Sequence, residues 1–238
     1  MVKLILSILI GTMLLSTAIT AAEKKNPTNE KQKIEAPAAA KELPFAERVL
    51  KELEDWDIKL KSLKTEFIQE VNFSEAGLRE NIQGIIHFLK PNHLRIEHIK
   101  PSRQIVFTDK TFLWIYKPED LQAVKTSWEG WRNSQNQNFS GILEFGNYKS
   151  IIEKNNVSVR KKADLDLINA VFTSKKDPEL YVLTLGLSAT DYFPMEASLK
   201  IDKTIIKTKL ANVERNIEIS TGIFKFVPPK GTEILEIN

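Results

Sequence analysis

A chain of 238 residues, 42% hydrophobic and 27% charged, has the makeup of a globular protein, which excludes collagen-like and wholly disordered classes. Lys+Arg at 34 against Asp+Glu at 31 leaves a net charge of +3, too balanced for the concentrated basic footprint of a nucleic-acid binder. With no cysteine and only 3 histidines, a disulfide framework, a thiolate metal site and a cysteine nucleophile are all excluded.

The first segment reads as an address. Lys3 supplies a positive start, Leu4 to Ile19 is an apolar run, and Thr20-Ala21-Ala22 is a small-residue exit, the pattern of a secretory signal peptide. The run of about 16 residues falls short of the ~20 that a membrane-spanning helix needs. Cleavage is expected after Ala22, giving an exported protein. Residues 23–42 contain one large apolar residue, Ile34, and cannot bury enough surface to offset their ordering entropy, so a disordered polar tether is expected there. Residues 43–238 read as one domain.

Phe45, Val49, Leu53, Trp56 and Leu60 fall at helical spacing with charges between them, predicting an amphipathic helix; Glu52, Glu54 and Asp55 form its solvated face. The period then changes to two. Leu63, Thr65, Phe67, Gln69, Val71 and Phe73 alternate with mostly polar residues, as in a half-buried strand. Further strands are predicted at 79–90, turned by Pro91-Asn92-His93, at 94–99, at 104–108 and 111–116 around an Asp109-Lys110 hairpin turn, and from Gln122. Residues 126–141 break the pattern, and 140–153 has helical spacing. Strands resume at 157–160, 165–173, 180–187, 195–201, 204–211 and 224–227, with turns at 191–194 and 201–204. Helices do not alternate with strands, so the sheet is expected to be antiparallel, and a long sheet with few helices must curl to bury one face.

No nucleophile elbow, phosphate loop, dinucleotide fingerprint or zinc-protease helix is present. Ser158-Val159-Arg160-Lys161 fits S-x-x-K by chance, because it lies in strand alternation. His87 and His98 are expected on opposite faces of their hairpin, which disfavours a metal site; no cofactor, metal or catalytic residue is assigned. What stands out is the 104–116 hairpin, apolar on both faces: Val106, Leu113 and Ile115 on one, Ile105, Phe107, Phe112, Trp114 and Tyr116 on the other. A one-sided sheet needs only one such face. The second is covered by helices or lines a cavity for a lipid.

At this hairpin a family resemblance emerges. Phe67-Ile68-Gln69, the strand and turn Gly84 to Pro91, Leu94-Arg95-Ile96-Glu97, Pro101 to Val106, Asp109 to Pro118 and the terminal Phe224 to Glu233 follow one another at the order and spacing of the periplasmic outer-membrane lipoprotein carriers, which they resemble. The resemblance spans roughly residues 44–238. It implies a mainly β fold with helices (α+β): an incomplete antiparallel β-barrel, a half-barrel, with a helical lid enclosing a hydrophobic cavity. It implies a chaperone rather than an enzyme, working as a monomer in the periplasm. Such a carrier binds the acyl chains of lipidated proteins as cargo, receives them from an inner-membrane lipoprotein-releasing ABC transporter and delivers them to an outer-membrane lipoprotein acceptor. A lipid-binding sensor or envelope-stress module on the same half-barrel is the alternative reading.

On this footing Leu63, Phe67, Phe88, Leu94, Ile96, Val106, Leu113 and Ile115 are the expected acyl-cavity wall, with the Trp114 face of the hairpin left as the other choice. Phe139, Ile142 and Leu143 are the expected lid, since they follow the long irregular loop. Lys90 stands where the family often has the arginine that latches the lid; lysine offers a point charge in place of a planar fork, implying a looser or differently made latch.

Overall fold

The computed structural model describes residues 43–108, 111–128, 147–161 and 166–237; the expected signal peptide, tether, Asp109-Lys110 turn and lid residues Phe139, Ile142 and Leu143 lie outside the described residues. The compact unit that carries the sheet begins at Phe45.

The first helix, α1 (Phe45–Lys59), turns Val49, Leu53 and Trp56 inward at i, i+4 and i+7. Glu47 in its first turn and Lys59 in its last complement the helix dipole. Twelve strands follow: β1 (Ser62–Phe73), β2 (Leu78–Leu89), β3 (His93–Lys100), β4 (Gln104–Thr108), β5 (Phe112–Lys117), β6 (Gln122–Ser127), then a short helix α2 (Tyr148–Lys154), β7 (Asn155–Lys161), β8 (Leu167–Ser174), β9 (Val182–Ser188), β10 (Pro194–Ile201), β11 (Thr204–Arg215), a 3₁₀ turn (Thr221–Phe224) and β12 (Glu233–Ile237). They form one sheet in the order β12-β6-β5-β4-β3-β2-β1-β11-β10-β9-β8-β7. Pairing is antiparallel except at β12, which lies parallel to β6. β7 and β12 are the two ends, so the sheet is open and not a closed barrel.

The period-two pattern predicted along β1 matches its burial: Leu63, Thr65, Phe67 and Val71 are buried while Glu66 and Ile68 are exposed. β11 runs on to Arg215, past its expected end at Ala211. An extra residue is taken up where the β1 register shifts between Lys64 and Glu66, and Asn212, at φ 51°, adopts the left-handed backbone that asparagine tolerates better than most residues. The two-residue turn at Asp202-Lys203 joins Ile201 to its partner Thr204.

Two expectations are corrected. Residues 224–227 form no strand: Phe224 ends the 3₁₀ turn, fully buried with its ring 5.2 Å from that of His93, and Pro228 and Pro229 have no N–H to offer a ladder. The strand of this region is instead β12, whose side chains are all exposed and whose burial pattern therefore carries no signal. The described part of the helix expected over 140–153 starts at Tyr148.

Candidate functional site

Because side chains opposite one another in a ladder share a face, the register decides which residues meet. Leu63 lies opposite Phe88, Phe88 opposite Leu94, Leu94 opposite Thr108, and Thr108 opposite Leu113. The next row runs Thr65, Ile86, Ile96, Val106, Ile115, Val124. A third runs Phe67, Gly84, His98, Gln104. All eight wall residues named from the sequence therefore lie on one face of β1–β5, called inner here. Val106 is half-buried and the other seven are buried, Leu63 completely.

Helix α1 lies over this same side of the sheet at β7, where Lys161, opposite Ile168 in the inner set of β8, places its ammonium 5.3 Å from the centre of the Phe45 ring. Its other end is tied down by aromatic and ionic contacts. The Trp56 indole N–H donates to the Asp191 carbonyl at 3.0 Å, and its ring meets Phe193 edge-on at 5.1 Å. The Arg215 guanidinium sits 4.8 Å from both rings and pairs with the Asp191 carboxylate at 2.5 Å.

The opposite face of the hairpin is already occupied. Ile105, Phe107, Tyr116 and Ala123 form a buried cluster with Trp114 and Phe226 against it. The Phe226 ring is 5.0, 4.9 and 5.1 Å from those of Phe107, Trp114 and Tyr116. The Arg95 guanidinium holds the same segment by donating to the Ile223 carbonyl at 3.2 Å. The second apolar face of β4–β5 thus packs against the chain's own C-terminal segment, an occupant not among those expected from the sequence.

Lys90, just after β2, donates its ammonium to the Asp57 carbonyl on α1. The Asp57 carboxylate in turn accepts the backbone N–H groups of Tyr148 at 2.5 Å and Lys149 at 2.8 Å, capping α2 from another helix because Asn147 makes no side-chain cap of its own. One residue of α1 therefore connects the β2–β3 turn to α2. The sequence carried no sign of this: Asp57 looks like any acidic residue of an exposed helix face. At its other end α2 is held by Asn155, which donates to the Ile151 carbonyl at 2.8 Å and accepts from the Tyr181 hydroxyl at 2.5 Å.

His87 and His98 do lie on opposite faces, opposite Arg95 and Gly84 respectively. Burial pushes the His98 imidazole down to about 4, so it is neutral near pH 7. Burial, with Arg95 and Lys64 nearby, lowers His87 as well. The Asp191 carboxyl is opposed by burial, which alone would raise it, but the Arg215 hydrogen bond and the Phe193 N–H hold it below its ordinary value. Glu97 likewise falls despite burial, through Arg103 and Arg95.

These shifts share a sign. Groups whose folded-state values are depressed stabilise the fold above their unfolded values, and that stability is lost as pH falls towards the folded ones. The histidine part is lost first, between about pH 6.5 and 4, and for His98 is worth roughly 3 kcal/mol; the carboxylates follow in stronger acid. Urea unfolding at pH 7 and at pH 4.5 is expected to show that loss in the wild type, and a smaller one in His98→Leu. An equal loss in both proteins would exclude His98 as its source.

Comparison with known proteins agrees with this architecture. Residues 58–227 match the family described as outer membrane lipoprotein carrier protein LolA. The chain is 27% identical over 186 residues to an outer-membrane lipoprotein carrier protein of Dechloromonas aromatica, covering 77% of this chain and 86% of that one. It is 25% identical over 189 residues to the carrier of Xanthomonas oryzae, with the same coverage. Among solved structures, an uncharacterized conserved protein from Thermus thermophilus shares the fold, with a TM-score of 0.53 at 12% identity over 81% of this chain and 99% of that chain. The order of the sequence motifs, the open twelve-stranded sheet and a family match over most of the chain lead to one conclusion: the protein belongs to the LolA family of outer-membrane lipoprotein carriers.

Proposed function

We propose that residues 43–238 act in the periplasm as a carrier that takes the acyl chains of lipoproteins onto the inner face of β1–β5. In this reading residues 1–22 direct export and 23–42 form a tether. The cargo comes from an inner-membrane lipoprotein-releasing ABC transporter and passes to an outer-membrane acceptor, and the carrier catalyses no bond change. The observation that supports this most is the placement of Leu63, Phe67, Phe88, Leu94, Ile96, Val106, Leu113 and Ile115 on one continuous face, while the aromatic face behind them is already filled by Phe226.

The physics of the cargo explains why such a face is needed. Each buried CH₂ is worth about 0.8 kcal/mol, so exposing two or three acyl chains to water costs on the order of tens of kcal/mol. A carrier must offer comparable apolar surface and keep that surface from water when unloaded, since a large exposed patch promotes association. Burial of the inner face suits the second demand. Phe139, Ile142 and Leu143 are the proposed lid.

The direct test is extraction. Incubated with membranes holding a triacylated lipoprotein, the purified mature protein is expected to bring it into the soluble fraction as a stoichiometric complex, and depleting the protein from cells is expected to strand lipoproteins at the inner membrane. A folded protein that yields no soluble complex refutes the reading.

Lys90 is the proposed latch, through Asp57 and onward to α2. Lys90→Leu removes one charge-assisted hydrogen bond between the turn and α1 and is expected to speed transfer of a fluorescent lipopeptide to acceptor vesicles about 3- to 10-fold. An unchanged transfer rate would show that Lys90 holds nothing that has to open.

A further inference from the structure

The inner face of β1–β5 changes character at its third row. Among the described residues, Ser62, Thr65, His98, Gln104, Thr108, Asn155 and Ser174 are the buried polar side chains. Most are engaged. The Ser62 and Thr65 hydroxyls donate to the carbonyls of Ile217 at 2.5 Å and Ala211 at 2.8 Å, Asn155 is bonded to Ile151 and Tyr181, Ser174 accepts the N–H groups of Lys176 and Asp177, and Thr108 is also partnered. His98 and Gln104 are different. They are 6% and 8% exposed, stand opposite each other across β3 and β4, and form no side-chain hydrogen bond among the described residues. The polar atoms of this pair are not among the described side-chain atoms that are both sealed from solvent and unpartnered, so their donors stay reachable from the inner face.

Their setting narrows what kind of ligand they suit. The Phe67 ring meets the His98 imidazole edge-on at 5.8 Å and lies over Gly84, so the pair is bounded on one side by apolar surface. Four residues along the strands, about 13 Å away, is the apolar row of Leu63, Phe88, Leu94 and Leu113. In the other direction β4 begins at Gln104 and β5 ends at Lys117, which faces Gln122. The pair therefore sits where the apolar wall gives way to the polar margin of the sheet. Both side chains are uncharged near pH 7 and both carry N–H donors. Two uncharged donors flanked by the Phe67 ring suit a neutral acceptor and not a phosphate or an amine.

We propose that His98 and Gln104 bind the ester carbonyls that join acyl chains to glycerol, fixing the chains on the inner face with their ester ends at the third row and their tails running towards Leu94 and Leu113. This rests on the carrier reading and adds a polarity to it: the wall recognises the junction of the lipid as well as its hydrocarbon. Acyl esters of this kind occur in lipoproteins and in phospholipids, and the same donors suit either.

The test compares ester with ether. A dipalmitoylglyceryl-cysteinyl peptide and its dihexadecyl ether counterpart have equal chains, but the ether lacks the carbonyl acceptors. The full-length mature protein is expected to bind the ester peptide about 10-fold more tightly than the ether, and His98→Leu and Gln104→Leu each to reduce that ester-to-ether ratio to about 3-fold or less. In the unaltered protein, the ¹⁵N resonances of the His98 ring are expected to move on adding the ester peptide and not the ether. This readout does not depend on how well a variant folds. A diester and a diether phosphatidylglycerol, used as the second pair of probes, show whether the preference extends to phospholipid. Equal binding of ester and ether by the wild type, or an ester preference untouched by both substitutions, overturns the proposal while the carrier reading stands; failure of the wild type to bind either peptide overturns both.

Discussion

Gly84→Ala is expected to destabilise the protein by about 3 kcal/mol or more and to lower its melting temperature by about 10 °C. A Cβ built at Gly84 would lie 2.1 Å from the Glu97 carbonyl oxygen and 2.7 Å from Cε1 of Phe67. The first atom is backbone on the neighbouring strand and cannot swing aside. The second belongs to a ring that already lies against His98. Relief requires parting β2 from β3 in the middle of the sheet, which breaks ladder hydrogen bonds and moves Phe67 out of the inner face. Gly222→Ala is the control, because its added Cβ would meet only the Ser220 hydroxyl at 3.4 Å. Thermal unfolding by circular dichroism separates the two. If Gly84→Ala melts within a degree or two of the wild type, the close approach of β3 and Phe67 to Gly84 does not exist as described.

The second large effect separates the two faces of the β4–β5 hairpin. Phe226→Ala removes the ring shared by Phe107, Trp114 and Tyr116 and is expected to cost about 2–4 kcal/mol, as large-to-small changes in aromatic clusters do. It also bares an aromatic patch on the outer face, so stronger binding of a hydrophobic dye and a greater tendency to associate are expected. Lipopeptide affinity at a temperature where the variant is folded should stay near the wild-type value, because the proposed acyl-binding face is the other one. Ile96→Ser, one strand away but on the inner face, is expected to do the reverse: a smaller change in dye binding and a marked loss of lipopeptide affinity. Were Phe226→Ala to abolish lipid binding in a folded protein while Ile96→Ser spared it, the assignment of faces would be inverted.

The parts of the site that were legible in the sequence are those that depend on local period. A strand has period two, so the alternation in Leu63 to Phe73 announces both a strand and its buried face, and the burial of that strand agrees. The same logic found Val49, Leu53 and Trp56 on α1 and grouped Val106 with Leu113 and Ile115 on one face, although the expected two-residue turn is corrected: Thr108 pairs with Leu113, four residues intervening, and the register shift of two keeps every side chain on its expected face. Residues 224–227 misled for a physical reason: alternating Phe and Lys has the right period, but with two prolines behind it the segment covers the sheet without joining a ladder. β12 was missed because an exposed edge strand places no constraint on which of its residues are apolar.

The amino-acid sequence by itself determined most of the elements, the antiparallel pairing that holds everywhere but at β12 and a set of apolar stripes, because those follow from interactions between residues close along the chain. It also determined the family, through motifs kept in order. Only the tertiary structure decided which stripe the C-terminal segment covers. Both faces of the 104–116 hairpin are apolar, and nothing local says that Phe226, more than a hundred residues later, will cover one of them. The structure alone likewise joined Lys90 to Asp57 and Asp57 to the start of α2, and set His98 opposite Gln104. Each of these depends on contacts between segments far apart in sequence, whose free energy exists only once the sheet has brought them together.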